Sequence, residues 1–168
     1  MKNDSKKLST IILLLLFPLI SLAGSLSDYA ENAVVDHILR GSAYSATTPT
    51  NYYVALYSTA CTDAAAGTEL TGGSYARVAI ARSTSAWNGT HGNTTGASSG
   101  TNGTVSNAAA VTFPAATADW GTATHWGIVD ASTGGNMITC AALTANRTIT
   151  NGSTASFAAG ALTFQIDN

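Results

Sequence analysis

The stretch Tyr75-Ala76-Arg77-Val78-Ala79-Ile80-Ala81-Arg82 decides the fold class, because its side chains alternate with a period of two. Ala76, Val78 and Ile80 would face one side of an extended chain, and the residues between them would face the other. This alternation is typical of a β-strand with one buried face. The segment therefore predicts a strand over Tyr75–Arg82.

Six further segments have the same extended character, and polar turn residues separate them. They are Tyr52–Ser58, Val105–Phe113, His125–Asp130, Asn136–Leu143, Arg147–Thr150 and Thr154–Ile166. Asn151-Gly152 is the preferred two-residue hairpin turn, so the last two segments are expected to pair. Short strands with polar turns predict a mainly β domain, an antiparallel β-sandwich or a barrel-like fold.

One segment, Ser25–Leu39, shows helical periodicity, and it predicts a single N-terminal helix. Its apolar or packed face is expected to carry Leu26, Tyr29, Ala30, Ala33, Val34, His37 and Ile38. Either Ser27, or Asp28 with Glu31 three residues later, would cap its start. Gly41 is suited to the C-terminal cap. His37 is expected to be a packed core or interface residue.

Residues 1–23 have the order of a secretory signal peptide. Three lysines come first, the apolar run Leu8–Ile20 follows, and Ser21-Leu22-Ala23 offers small residues for cleavage. The alternative is an uncleaved anchor, although the apolar run is shorter than the roughly 20 residues that span a bilayer. We therefore expect a signal peptide at 1–23 and a β-rich domain at 24–168, with no membrane contact after cleavage.

The 145 residues after the signal carry four arginines, eight carboxylates and no lysine, which gives a net charge of −4. Soluble domains usually have about 25% charged residues, and this one has far fewer. Nucleic-acid binding requires clustered Lys and Arg, so it is not expected. Schiff-base and P-loop lysine chemistry is excluded from the mature chain, and no cofactor is predicted.

Cys61 and Cys140 are the only two cysteines. Export would place them in an oxidising compartment, where one disulfide can form. The alternative is a pair of buried thiols that pack as small apolar groups. Sequence alone does not decide between them, because a bridge depends on the distance between the two Cα atoms.

Ser83–Gly103 consists mostly of Ser, Thr, Gly, Asn and Ala, and it lacks the apolar surface to pack alone. It predicts a long flexible loop at 83–103. Trp87 and His91 lie within it and are the candidate ligand-contact residues, since an exposed aromatic ring can stack on a sugar or anchor a protein. The alternative is that Trp87 folds back over the sheet.

Three arrangements that resemble catalytic sites have simpler explanations. Gly96-Ala97-Ser98-Ser99-Gly100 matches the nucleophile-elbow pattern but lacks the flanking strand and helix. Asp119 and Asp130 could act as a carboxylate pair with His125 in a small hydrolase. Both aspartates are better explained as turn residues. The histidines lack zinc-motif spacing, so no catalytic residue and no metal site are predicted.

Several long motifs resemble a family of small tail-fibre-like structural proteins of tailed bacteriophages. Its landmarks here are Ser27–Asn32 with Asp36–Leu39, Tyr53–Ser58, Gly73–Val78, Val111–Gly121 with Thr124–Ile128, and Phe157–Leu162. The similarity extends over nearly all of residues 25–167. This sequence departs from the family pattern at its N-terminus, because family members begin close to the helix without a secretory signal.

The resemblance implies a non-enzymatic virion component that assembles with itself and with other tail or surface structural proteins. It would lie in the virion tail, or, if the signal is used, in the periplasm, at the cell surface or outside the cell as a prophage-derived relative. An exported adhesin or carbohydrate-binding module that contacts a cell-surface glycan through Trp87 is the alternative function. A secreted hydrolase is the third.

Overall fold

The computed structural model describes residues 16–19, 25–43, 49–89 and 103–166. Within them the chain forms one helix and eleven strands. In order these are β1 (Leu16–Leu19), β2 (Ser25–Leu26), α1 (Asp28–Leu39), β3 (Asn51–Tyr57), β4 (Val78–Ala81), β5 (Trp87–Asn88), β6 (Thr104–Asn107), β7 (Val111–Thr112), β8 (Gly121–Val129), β9 (Met137–Ile149), β10 (Thr154–Phe157) and β11 (Thr163–Gln165).

The strands form three sheets. The largest has the order β2-β9-β8-β3-β4, and all its pairs are antiparallel. The two smaller sheets have the orders β1-β10-β7 and β11-β6-β5. Within the described residues, only the pairing of β1 with β10 is parallel. The prediction of a mainly β, antiparallel sandwich with one N-terminal helix is confirmed.

One apolar core joins the sheets. The large sheet contributes Leu56 and Trp126, which lie opposite each other on β3 and β8. Phe113, Phe157 and Leu162 complete this core from the segments of the smaller sheets, and each is at most 2% exposed. Each such side chain stabilises the fold by about 1.5–3 kcal/mol. Burial alternates along the first half of β9, whereas β3, β8 and β10 contain runs of consecutive buried residues because they are covered on both faces.

Helix α1 begins and ends as its capping residues dictate. The Ser27 side chain accepts a hydrogen bond from the Ala30 N–H at 3.3 Å, so Ser27 is the N-cap. The residues before it form β2 and do not continue the helix. Gly41 follows the Arg40 cap with a φ of +69°, a conformation that glycine adopts without strain.

The predicted inward face of the helix is only partly correct. Ala30 is buried, but His37 is exposed, and Ile38 is 69% exposed. The helix is tied down at its N-terminal end, where the Ser27 N–H donates to the Ile138 carbonyl at 2.9 Å. Its C-terminal half therefore extends beyond the sheet that covers its start.

The strand boundaries differ from the predicted ones where chain segments change sheets. Asn136–Leu143 and Arg147–Thr150 belong to a single strand, β9, whereas Thr154–Ile166 divides into β10 and β11. The Asn151-Gly152 turn does not make the predicted hairpin, because β9 and β10 lie in different sheets. Its Gly152 N–H instead donates to the Ala116 carbonyl at 2.7 Å, which leads the chain into the second sheet.

The Ser/Thr/Gly tract also begins later than predicted. Trp87 and Asn88 form β5 and pair with β6, so the placing of Trp87 in an exposed loop is wrong. Its ring is half-buried and packs against the core, as the alternative interpretation had it. His91 and the Gly96–Gly100 pattern lie outside the described residues, as does the predicted signal peptide apart from Leu16–Leu19.

Candidate functional site

An apolar cleft lies beside helix α1, between the large sheet and the sheet of β5, β6 and β11. Its volume is about 330 Å³. Nine of its lining residues are apolar or aromatic: Leu26, Val34, Tyr52, Trp87, Val105, Ile128, Ile138, Phe164 and Ile166. Most are only half-buried, and Arg82 is the one charged residue at its edge. The cleft is an opening in the core that the described residues leave unfilled.

The outer face of helix α1 continues this apolar surface. Val35, Ile38 and Leu39 are 50%, 69% and 78% exposed. Residues three and four apart are neighbours on a helix, so these three side chains lie together, and Ile38 lies one turn from Val34 in the cleft wall. We call Val35, Ile38 and Leu39 the helix face. Large apolar side chains grouped in this way mark interaction surfaces.

Charged residues flank the helix face. Arg40 Nε lies 3.3 Å from Asp36 Oδ1, an exposed pair one helical turn apart. Glu31 is exposed one turn before Val35, so this surface carries a negative charge beside the pair. His37 Nδ1 lies 3.0 Å from the Ser42 carbonyl oxygen.

The predicted hydrolase residues are not brought together. Asp119 accepts a hydrogen bond from the Asn151 N–H at 2.7 Å, whereas Asp130 accepts from the Asn136 N–H at 2.6 Å. The nine-residue strand β8 separates them and spans about 30 Å, far beyond the 5–9 Å of a glycosidase pair. Both lie in the connections at the two ends of β8, and His125 Nδ1 is 2.8 Å from Thr124 Oγ1.

A half-buried polar cluster connects separate parts of the chain. Arg77 Nε donates to Glu69 Oε1 at 2.8 Å, and its Nη2 donates to Oε2 at 2.7 Å. The Tyr75 hydroxyl donates to the same carboxylate at 3.0 Å and accepts the Leu56 N–H at 3.0 Å. Arg77 Nη1 reaches the carbonyls of Ala131 and Gly134 in the β8–β9 connection.

The cluster gives the Gly73–Val78 motif a structural role. Trp120 Nε1 donates to the Gly73 carbonyl at 2.8 Å, so the motif is also held to the segment around Asp119. Burial raises the pKa of the Tyr75 hydroxyl well above its usual range, and Glu69 raises it further. The Arg77 and Glu69 head groups bind each other, and Arg77 also binds backbone carbonyls of the β8–β9 connection. The arrangement therefore holds these parts of the fold together.

Sequence reasoning missed Glu69. It lies outside every predicted strand, and its only signal was a lone carboxylate in an otherwise weakly charged chain. Its partner Arg77 belonged to a predicted strand. The two residues are eight positions apart in an irregular segment, so no helical or strand periodicity predicts that they pair.

Cys61 and Cys140 form a disulfide bond, with their Cα atoms 6.4 Å apart. This distance lies within the range that a disulfide spans. The bond joins the segment after β3 to β9, next to the start of the helix. The Asp28 N–H there donates to the Asp63 carbonyl at 3.1 Å. The disulfide loop thus holds the N-terminal end of α1.

Neither metal nor membrane features occur in the part of the chain that the structure describes. Residues 25–43, 49–89 and 103–166 contain no group of three His, Cys, Asp or Glu side chains suited to a metal ion. No described helix is long and apolar enough to cross a bilayer.

Comparison with known families identifies the chain. A family model described as podophage GP4 fiber I protein gp80 matches residues 25–165. The chain belongs to this podophage fibre family. The match begins at β2 and takes in helix α1, the cleft and the Arg77 cluster, so the resemblance to tail-fibre-like proteins is confirmed. No curated protein matches the chain.

Proposed function

We propose that the protein is a non-enzymatic structural subunit of a phage tail fibre, and that it assembles with copies of itself through the helix face and the cleft. The main support for this proposal is the exposure of Val35, Ile38 and Leu39, next to an apolar cleft that the described residues leave unfilled. A monomer in water gains nothing by exposing these side chains, whereas burying them in an interface is favourable.

A second copy is the occupant that the chemistry favours. Binding sites for small molecules combine apolar walls with a few convergent polar groups, and the described residues give this cleft one charged side chain, Arg82, at its edge. The helix face is apolar, so it is complementary to another helix face or to the cleft of a neighbour. Fibre subunits are repeated, which brings such surfaces together.

The same features argue against the two other functions. Glycan binding needs polar partners around a stacking ring, and Trp87 lies in an apolar wall. A hydrolase would need Asp119 and Asp130 near one another, and β8 keeps them apart. The structural role accounts for the shared motifs without either activity.

The location follows from the N-terminal segment. If the signal at 1–23 is removed during export, the subunit acts at the cell surface or in the periplasm as a prophage-derived protein. Otherwise it acts in the virion tail. The intact mass of the protein from purified particles, and from the cytoplasmic and exported fractions, decides between these locations.

The assembly surface is tested by sedimentation velocity on the purified protein and two variants. Ile38→Lys places a charge on the helix face. Lysine is favourable near a helix C-terminus, so a loss of assembly would not come from a weakened helix. His37→Lys adds the same charge at an exposed position in the same half of the helix. It is the matched control, because residues one and two positions from Val35, Ile38 and Leu39 do not face them on a helix.

We expect oligomers for the natural chain and for His37→Lys, and a shift to monomer for Ile38→Lys with an unchanged circular dichroism spectrum. If the natural chain sediments as a monomer at high concentration, self-assembly is wrong. If Ile38→Lys assembles as well as the control, the helix face is not the interface.

A further inference from the structure

Strand β1 occupies the outer edge of β10. Leu16 to Leu19 pair in parallel with Thr154 to Phe157, and β7 pairs with the other edge of β10. All four residues of β10 are buried, at 8%, 2%, 4% and 0% exposure. β1 also lies against β9 of the large sheet. β1 therefore lies at the edge of one sheet and beside another.

The residues of β1 belong to a segment that the sequence marks for removal. Leu16–Leu19 lies in the apolar run of the predicted signal, and the fibre family matches only from residue 25. Removing residues 1–23 would leave the β10 edge unpaired, since the described residues give it no other partner on that side. An unpaired strand edge presents a row of free N–H and C=O groups, which is a template for another strand.

We propose that the β10 edge is a strand-acceptor site. In the processed protein it binds an extended polypeptide segment with apolar side chains, which runs parallel to β10 and comes from a neighbouring fibre subunit. The inference rests on the proposed structural function, and it adds a second assembly surface to the helix face.

The chain's own N-terminal segment shows the chemistry of the occupant. Leu-Phe-Pro-Leu is apolar throughout, and its four residues match the length of β10. Main-chain hydrogen bonds to an added strand supply affinity, and the buried surroundings of β10 select apolar side chains. Pro18 lacks an N–H group, and within sheets proline is found mainly in edge strands such as β1. An entering strand would thus complete the sandwich as β1 does.

The test uses the protein isolated after export, with its N-terminus determined from the intact mass. The probe is a synthetic peptide of residues 12–22 carrying a C-terminal lysine tail for solubility. Amide hydrogen exchange is followed across residues 154–157, with and without the peptide. The control peptide has the same composition in scrambled order with proline at the centre.

We expect a mass that begins near Gly24 and a slowing of exchange in 154–157 by about tenfold or more with the probe peptide only. A processed protein whose exchange is unchanged by the peptide would overturn the proposal. So would an exported protein that retains Leu16–Leu19, because its acceptor edge is permanently filled. Either failure leaves the effect of Ile38→Lys on assembly untouched, so the two proposals fail separately.

Discussion

The guanidinium of Arg77 holds both carboxylate oxygens of Glu69, with nitrogen–oxygen distances of 2.8 and 2.7 Å. Their side chains are 10% and 25% exposed, so water screens the pair only weakly. The third arginine nitrogen binds the carbonyls at the β8–β9 connection. One arginine thus connects the segment before β4 to the two longest strands of the large sheet.

Replacing Arg77 by alanine should lower the free energy of unfolding by about 3 kcal/mol, because Glu69 would be left buried without its cation. Arg40→Ala is the matched control. Its pair with Asp36 is exposed, so its loss should cost no more than about 0.5 kcal/mol. Urea denaturation of both variants measures the difference. Equal losses would show that the Glu69–Arg77 pair contributes no more than a surface pair.

Two buried tyrosines should respond in opposite ways to removal of the hydroxyl. The Tyr75 hydroxyl links the Leu56 N–H to Glu69, so Tyr75→Phe should cost about 1–3 kcal/mol. The Tyr57 hydroxyl is buried and has no hydrogen-bond partner among the described residues. Tyr57→Phe removes an unsatisfied group and should be neutral or stabilising.

Thermal unfolding of the two phenylalanine variants provides the comparison, and each is the control for the other. Both changes remove one oxygen from a ring packed in the same region. A destabilised Tyr57→Phe protein would mean that its hydroxyl has a partner outside the described residues. An unaffected Tyr75→Phe protein would contradict the bridging role of that hydroxyl.

The sequence predicted what depends on local periodicity and missed what depends on distant partners. The alternation in Val78–Ile80 and the helical spacing around Ala30 are properties of neighbouring residues, and both elements formed. Each begins three residues later than predicted, the strand at Val78 and the helix at Asp28. Asn151-Gly152 makes a turn, but whether the flanking strands pair is decided by the rest of the sandwich. Glu69 is fixed by Arg77 and Tyr75, which the turn at Gly72 brings back towards it.

The candidate site was harder to predict than the fold. The sequence indicated apolar helix positions but could not show which of them the fold leaves exposed, as it does Ile38. Trp87 was recognised as important, but its place in an apolar wall depends on β6, from which it is separated by the Ser/Thr/Gly tract. Surfaces arise from the ends of packed elements, and local patterns do not encode them.

Alkaline pH should destabilise the protein through its buried tyrosines. Burial raises the pKa of Tyr57 from 10.0 to about 12, with a further contribution from Glu69. Between these values the unfolded chain has lost a proton that the folded chain retains, so stability is complete below pH 10 and falls up to about pH 12. The slope is about 1.4 kcal/mol per pH unit for each such group.

Urea midpoints between pH 9 and 12 test this dependence. Tyr57→Phe should have a shallower slope than the natural protein, and Tyr75, whose pKa burial also raises, should supply the remainder. An identical slope in the variant would show that Tyr57 does not titrate in this way.

The disulfide between Cys61 and Cys140 should contribute to stability and to the order of helix α1. It closes a loop with a sequence separation of 79, for which chain entropy predicts about 4 kcal/mol. It also holds the loop whose Asp63 carbonyl accepts the Asp28 N–H.

Reduction of this disulfide should therefore lower the urea midpoint and speed amide exchange at the start of α1 more than in β8. The Cys61→Ser/Cys140→Ser double variant should match the reduced protein and be insensitive to reductant. Uniform acceleration across α1 and β8 would show that the bond stabilises the whole fold without a particular effect on the helix.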